Sequence, residues 1–346
     1  MTALFTHTPA TSTDTHRFCI APMMDCTDRH CRYFLRLLSK KALLYTEMVT
    51  TGALLRGETA RFLQHDPSEQ PLALQLGGSN PDELARCSKL AEAAGYVEVN
   101  LNVGCPSDRV QNNKIGACLM AEPELVADCI AAMRAATSIR VTVKCRTGID
   151  DMDSYDELAA FIDTVTSRSG CDIFIIHARI ALLQGLSPKE NREVPPLNYS
   201  RVYQIKKEFP HLNIVINGGI RTVAESKIHL GHVDGVMLGR EAYQNPYLLH
   251  DVDKELFGLA GADTTRVQIL EQLFPYLETQ VRDGVAIHHM TRHILGLFHG
   301  QTGGKRFRRY LSENIHKPDA SLHILHEALA HMTNISTVDQ EPTSAC

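Results

Sequence analysis

The chain has 346 residues, enough for one large α/β barrel with a small appendage or for two ordinary domains. Apolar residues make up 44% and charged residues 22%, the balance of an ordinary globular protein rather than a disordered one. The formal net charge of −5 excludes a globally basic chain, although an average can hide a local basic patch.

Residues 1–16 are threonine-rich and are expected to form a flexible N-terminal tail. They lack a positively charged start followed by an apolar run, so no secretory signal is expected. Eight short β-rich runs follow at wide spacing: 17–23, 42–48, 71–77, 96–102, 139–145, 172–178, 213–219 and 235–240. Several are apolar on successive residues, as strands buried on both faces should be. Helical patterns separate them. Asn80, Pro81 and Glu83 read as an N-cap, a first-turn proline and a capping-box acid. "SYDE" (154–157) and "TVAE" (222–225) are boxes of the same kind, and "EPEL" (122–125) is a proline-started helix. Strand and helix thus alternate about eight times, which predicts a (β/α)₈ TIM barrel over residues 17–250. No GxGxxG follows any strand, which disfavours a dinucleotide-binding half.

Beyond residue 250 the strand signals stop. Helical spacing at 267–281, 287–298, 307–315 and 321–332 predicts a small helical bundle over 251–335, with a kink at Pro275 and a flexible tail at 336–346. Between His288 and Lys317 six cations (Arg292, Lys305, Arg306, Arg308, Arg309, Lys317) face one acid, Glu313. That is +5 locally, leaving −10 for the rest of a chain whose total is −5. The segment is either a solvated helix face or a polyanion-binding surface.

The ten cysteines contain no CxxC pair, and the chain is too long and core-rich for a disulfide scaffold, so a reduced cytoplasmic protein is expected. No 18-residue apolar run suggests a membrane span. Metal binding is not expected. His326 and His331 are five apart, and His289 and His293 are four apart but have no third ligand nearby.

Barrel chemistry is carried at the C-terminal ends of strands. Those ends supply Pro22, Met23 and Met24; Glu47; Gln75; Asn100, Asn102 and Cys105; Lys144 and Arg146; His177 and Arg179; Asn217, Gly218 and Gly219; and Gly239 with Arg240. Singly, Gln75 or Asn100 reads as a satisfier of loop groups, Lys144 as half of an ion pair, and His177 as a core histidine. Polar residues at so many strand ends are harder to explain as packing. The glycine pair and Arg240 fall in the loops where a barrel holds phosphate. A phosphate-bearing ligand follows, with its aromatic end near Met23, Gln75 and Lys144. Flavin mononucleotide fits that shape, with Gln75 bonding the ring edge and Lys144 stabilising the anionic reduced ring.

With "APMMDCTDRHCR", "QLGG", "NLNVGCPSDRVQNNKIGACLM", "VTVKCRTGID", "IIHAR", "INGGI" and "LGREAYQNP" in order, the chain resembles the tRNA-dihydrouridine synthases over roughly 17–330. The "GLSPKENREVPPL" stretch (185–197) is similar to the A subfamily, whose substrates are uridines 20 and 20a of the tRNA D-loop. The resemblance implies FMN as cofactor, NADPH as reductant and reduction of the uracil C5–C6 double bond. Carried over by motif, the flavin contacts are Pro22, Met23, Met24, Gln75, Lys144, His177, Asn217, Gly218, Gly219, Gly239 and Arg240. The resemblance makes Cys105 the catalytic acid, giving its proton to C5 after hydride reaches C6. An ordinary thiol pKa of about 8.5 keeps a cysteine mostly protonated near neutrality. Cys105 is therefore expected without a fixed cationic partner.

The target base must be splayed out of a folded RNA into the barrel mouth. Asn102 is the candidate for the uracil edge. Arg306 and Arg309 are the leading RNA-backbone contacts, with Lys305 and Arg308 behind them and Lys189 and Arg192 on the barrel side. No protein partner is required by this reading. A free-pyrimidine oxidoreductase of the dihydroorotate dehydrogenase type gives no reason for the basic appendage. A non-catalytic tRNA binder gives none for Cys105, Gln75, Lys144 and His177.

Overall fold

The computed structural model describes residues 15–107, 114–260, 264–317 and 320–333. Most of the two expected tails, and residues 108–113 of the cysteine-bearing motif, lie outside these. Nine strands run in parallel: β1 (Phe18–Ile20), β2 (Leu43–Tyr45), β3 (Val49–Thr50), β4 (Leu72–Gly77), β5 (Glu98–Val103), β6 (Arg140–Arg146), β7 (Ile173–His177), β8 (Asn213–Asn217) and β9 (Gly235–Leu238). β1 pairs with both β2 and β9, and β2 pairs with β4, so eight strands close a (β/α)₈ barrel. The two-residue β3 pairs only onto β4. The predicted run 42–48 is thus split: after Tyr45 the chain leaves the ring, and the Thr46 hydroxyl accepts from the Gln75 amide.

Side-chain alternation sorts the strands into two faces. Phe18, Ile20, Leu44, Leu74, Val99, Leu101, Val143, Phe174, Ile176, Ile214 and Ile216 join the core shared with the helices. Cys19, Leu43, Tyr45, Ala73, Ile175, Val215 and Met237 form a second cluster, the apolar filling of the barrel interior, with Met23 packed on it. On β5 and β6, and at Gln75 above Ala73 on β4, the inward positions are polar instead: Glu98, Asn100 and Asn102, then Thr142, Lys144 and Arg146. The interior therefore has one apolar and one polar wall.

Helix starts follow the sequence signals in part. Ser154 and Glu157 make a reciprocal capping box. Asn80 caps its helix, but the Glu83 carboxylate turns away to Thr51 and Arg56. Thr222 likewise caps, while Glu225 accepts from the Arg221 amide instead. Glu83 is thus taken by tertiary partners, whereas Glu225 shifts by one residue to the amide just before the cap. His16, assigned by sequence to the tail, is buried with its Nε2 2.6 Å from Glu98.

The C-terminal helices span Arg266–Arg282, His288–Thr291, Gly304–Asn314 and His323–Thr333. Pro275 sits within the first, which runs unbroken. The predicted helix at 287–298 is regular only at its start and then continues as turns. There it crosses Gln244, whose carbonyl lies 2.4 Å from where a Gly296 Cβ would stand. Segment Val252–Phe257, assigned by sequence to the appendage, is tied to the barrel: Asp253 accepts from Ser39, Lys40 and Lys41, and Leu256 from Arg17. Asp28 anchors the bundle itself, bonded by Arg292 (2.6 Å) and His293 (3.0 Å). Burial alone would raise the Asp28 pKa, but His293, the Cys31 amide and Arg292 outweigh it and hold the carboxyl far below its usual range. Tyr276 stacks on Tyr33 at 3.9 Å and bonds His30 at 2.7 Å. No helix among the described residues is long and apolar enough to cross a membrane.

Candidate active site

β5 ends in Val103, and Gly104 and Cys105 then turn out of the barrel. The turn is held from within: the amides of Gly104 and Cys105 donate to Asn102 Oδ1 at 3.1 and 3.0 Å. Asn102 Nδ2 donates to Gln75 Oε1 at 2.9 Å, and Gln75 Nε2 to Asn100 Oδ1 at 2.8 Å. Asn102 is only 9% exposed, so its first task is local, and one N–H of its amide is left for a ligand. From the next strand, Arg146 donates to the carbonyls of Gly104 (2.9 Å), Ile180 (2.8 Å) and Asn191 (2.9 Å). One guanidinium thus joins the cysteine loop to the β7 loop. Cys105 is half-buried. Among the described residues its Sγ has no hydrogen bond or ion pair. Lys144, Arg146 and Arg192 nonetheless lie close enough to act on it electrostatically.

Across the mouth, Lys144 Nζ donates to Asn217 Oδ1 at 3.1 Å, and Asn217 Nδ2 to the Met237 carbonyl at 2.7 Å. Burial, reinforced by Arg146, lowers the Lys144 pKa to about 8. Burial and then Arg146, Lys144, Arg179 and Arg192 push His177 well below its ordinary value, so the imidazole is neutral at physiological pH. Register places Arg146 beside His177 and His177 beside Asn217. Gly218 has φ +117°, and a Cβ there would stand 2.6 Å from the His177 ring. Gly219 has φ +73°, with Leu197 2.6 Å from its would-be Cβ. Bare backbone among Lys144, Arg146, Arg179, Arg192 and Arg240 is a cradle suited to an anion. Arg240 is tied to Glu193 (2.6 Å), while Gly239 packs beside Ala21 and Met23. Met24 is exposed, and Pro22 and Met23 are partly buried.

One rim therefore gathers Pro22, Met23, Met24, Gln75, Asn102, Cys105, Lys144, His177, Asn217, Gly218, Gly219, Gly239 and Arg240. Lys189 and Arg192 are exposed on the β7 loop around the buried Asn191, and Arg192 reaches this rim, close enough to act on Cys105 and with its carbonyl accepting from Arg240 at 3.4 Å. Arg306 and Arg309 lie on the Gly304–Asn314 helix. Lys305, Arg306 and Arg308 are exposed and have no ion pair among the described residues, whereas Arg309 pairs with Glu313 at 2.7 Å. With Arg292 held by Asp28, the free charge of this segment is smaller than its residue count. Sequence reasoning missed Glu98, Thr142 and Tyr45; the polar alternation of "EVNLNV" and "RVTVKCR" was the available signal.

A closed parallel barrel with a thiol, amides, a lysine and a cationic glycine cradle on one rim defines a barrel enzyme. The dihydrouridine synthase family matches residues 19–334. The chain is 59% identical over 314 residues to a tRNA-dihydrouridine(20/20a) synthase of Vibrio cholerae, covering 91% of this chain and 96% of that one. It is 60% identical over 328 residues to the protein of the same name from Yersinia pestis (94% and 95% covered). It is 59% identical over 320 residues to that of Escherichia coli K12 (92% of each). The chain belongs to the dihydrouridine synthase family.

Proposed function

We propose that this protein is an FMN-dependent tRNA-dihydrouridine synthase that uses NADPH to reduce uridines 20 and 20a of the D-loop, in the cytoplasm. The observation that carries the reading is the clamped Cys105 turn facing Lys144, His177 and the glycine cradle across one mouth. The relatives' names supply the substrate. Pro22, Met23, Met24, Gln75, Lys144, His177, Asn217, Gly218, Gly219, Gly239 and Arg240 would hold the flavin, its phosphate on the bare backbone at Gly218 and Gly219. When bound, the flavin supplies hydride to uracil C6, with NADPH as its electron source.

The chain's own residues do the rest. Hydride at C6 leaves an enolate whose electron pair takes a proton at C5, and Cys105 Sγ–H gives it. The thiolate left behind lies in the field of Lys144, Arg146 and Arg192, then regains a proton from solvent. Asn102 and Arg146 fix the turn so that the thiol meets the ring at one face. A hydrogen bond from the remaining Asn102 N–H to a uracil carbonyl suits the geometry of that turn.

RNA phosphates would meet Lys305, Arg306 and Arg308, with Lys189 and Arg192 at the mouth. Arg306→Glu should weaken tRNA binding more than Arg309→Glu, because Arg309 already spends charge on Glu313. Arg306→Glu should also reduce the salt slope by about one. Titrations at several salt concentrations measure both; loss of flavin reduction instead would make the segment structural.

Lys144 adds a pH dependence. An anionic ligand beside it favours its charged form and so raises its pKa from about 8. FMN affinity should then fall as pH rises above about 8, and Lys144→Met should flatten that fall. Fluorescence quenching of FMN by the apoprotein measures it, and an equal slope in Lys144→Met would remove Lys144 from the site.

The function is tested by incubating the flavin-loaded protein with NADPH and tRNA lacking dihydrouridine, then mapping mass along the D-loop. A gain of two hydrogens at uridines 20 and 20a is expected. An unmodified D-loop, with the flavin still reduced by NADPH, would overturn the reading.

A further inference from the structure

The hydrogen bonds behind Cys105 continue past Asn100 to the floor of the barrel. Asn100 Nδ2 donates to Thr142 Oγ1 at 2.8 Å, and Thr142 Oγ1 donates to Glu98 Oε1 at 2.7 Å. Every bond in the series points the same way: from the Cys105 amide to Asn102, to Gln75, to Asn100, to Thr142, to Glu98. Both ends are chemically fixed. A backbone N–H can only donate, and an ionised carboxylate can only accept. Tyr45 OH (2.6 Å) and His16 Nε2 (2.6 Å) complete the Glu98 shell. Gln75, Glu98, Asn100 and Thr142 are each at most 1% exposed, so no water competes for these bonds.

We propose that Thr142, with the Glu98 carboxylate behind it, is a positioning residue for the Cys105 turn, setting its geometry through a one-way relay of three amides. An amide can present either its oxygen or its nitrogen, and nothing in Asn100, Gln75 or Asn102 alone decides which. Because Thr142 spends its hydrogen on Glu98, it must accept from Asn100 Nδ2. Asn100 then presents oxygen to Gln75, Gln75 presents oxygen to Asn102, and Asn102 presents oxygen to the loop amides. The same polarity makes the second hydrogen of Gln75 and Asn102 what each can offer a ligand, so the mouth selects carbonyl acceptors there. Burial alone would raise the Glu98 pKa, but His16, Tyr45 and Thr142 together lower it, which keeps the relay's end an acceptor.

The test is amide hydrogen exchange at Gly104 and Cys105, followed by NMR on the full chain labelled at glycine and cysteine nitrogen. Thr142→Val keeps the shape but leaves Asn100 without its acceptor. Exchange at both amides should rise on the order of tenfold. Thr142→Ser, which keeps the hydroxyl and so the relay, should leave both rates near wild type. Should Thr142→Val not fold, Asn100→Ser cuts the same path one step nearer the loop and should give the same rise. Unchanged exchange in Thr142→Val and Asn100→Ser, or an equal rise in Thr142→Ser, overturns the proposal. The consequence for catalysis, a lower kcat on tRNA at unchanged KM, rests on Cys105 being the proton donor. Exchange needs no substrate, so the expected exchange pattern in a protein that forms no dihydrouridine would count against the function and leave the relay standing.

Discussion

Cys105→Ala should slow tRNA reduction by roughly 10²- to 10⁴-fold, the usual worth of a positioned general acid, while reduction of the flavin by NADPH stays near normal. The two half-reactions separate because the thiol belongs to only one of them. Its loop is pinned by Asn102 and Arg146, so removing Sγ leaves the backbone bonds at Gly104 and Cys105 intact. Cys105→Ser is the sharper variant. A hydroxyl keeps the shape and one exchangeable hydrogen, but it is a far weaker acid than a thiol, and the cations at Lys144, Arg146 and Arg192 close only part of that gap. Serine should therefore resemble alanine in rate. Rapid-mixing absorbance at the flavin band, with NADPH alone and then with tRNA, measures both halves. If the tRNA half keeps its wild-type rate in Cys105→Ala, another group supplies the proton.

The barrel was legible because its strands carry β-branched runs and its helices carry start signals, both local features. The rim was legible because barrel topology puts strand ends together whatever their distance in sequence. The polar wall was not. "VEVNLNV" looks like a strand buried on both faces, and its alternation of Glu98, Asn100 and Asn102 against Val99, Leu101 and Val103 has a meaning only once Gln75 and Thr142 are known to flank it. Asn100 bonds residues 25 and 42 positions away, and Glu98 bonds residues 53 and 82 positions away. No window of sequence contains such a network. The same holds for charge: counting residues in the appendage gave six cations, but Asp28, 264 positions from Arg292, takes one of them.

Gly218→Ala should cost the protein its flavin, and Gly219→Ala should cost it much less. Both residues sit at positive φ, so either alanine carries about 1–2 kcal/mol of backbone strain. The difference lies in what a Cβ would strike. At Gly218 it would meet the His177 ring at 2.6 and 3.0 Å, and that ring stands between β6 and β8 with Arg146 and Asn217 in register on either side. The ring cannot retreat, so either it or the strand end must shift, and the Lys144–Asn217 bond shifts with it. At Gly219 both obstacles are the far ends of side chains: the tip of Leu197 at 2.6 Å, which can rotate away, and the Tyr199 hydroxyl at 2.9 Å, which would give up its bond to the Gly218 carbonyl. Losing the Lys144 alignment and the bare backbone together is worth about 3 kcal/mol, hence roughly a hundredfold in FMN affinity for Gly218→Ala. Gly219→Ala should lose on the order of tenfold or less. Fluorescence titration of FMN into each apoprotein gives the ranking. Wild-type affinity in Gly218→Ala would mean that the phosphate lies elsewhere on the rim, and Arg179 with Arg192 would then be the cations left to hold it.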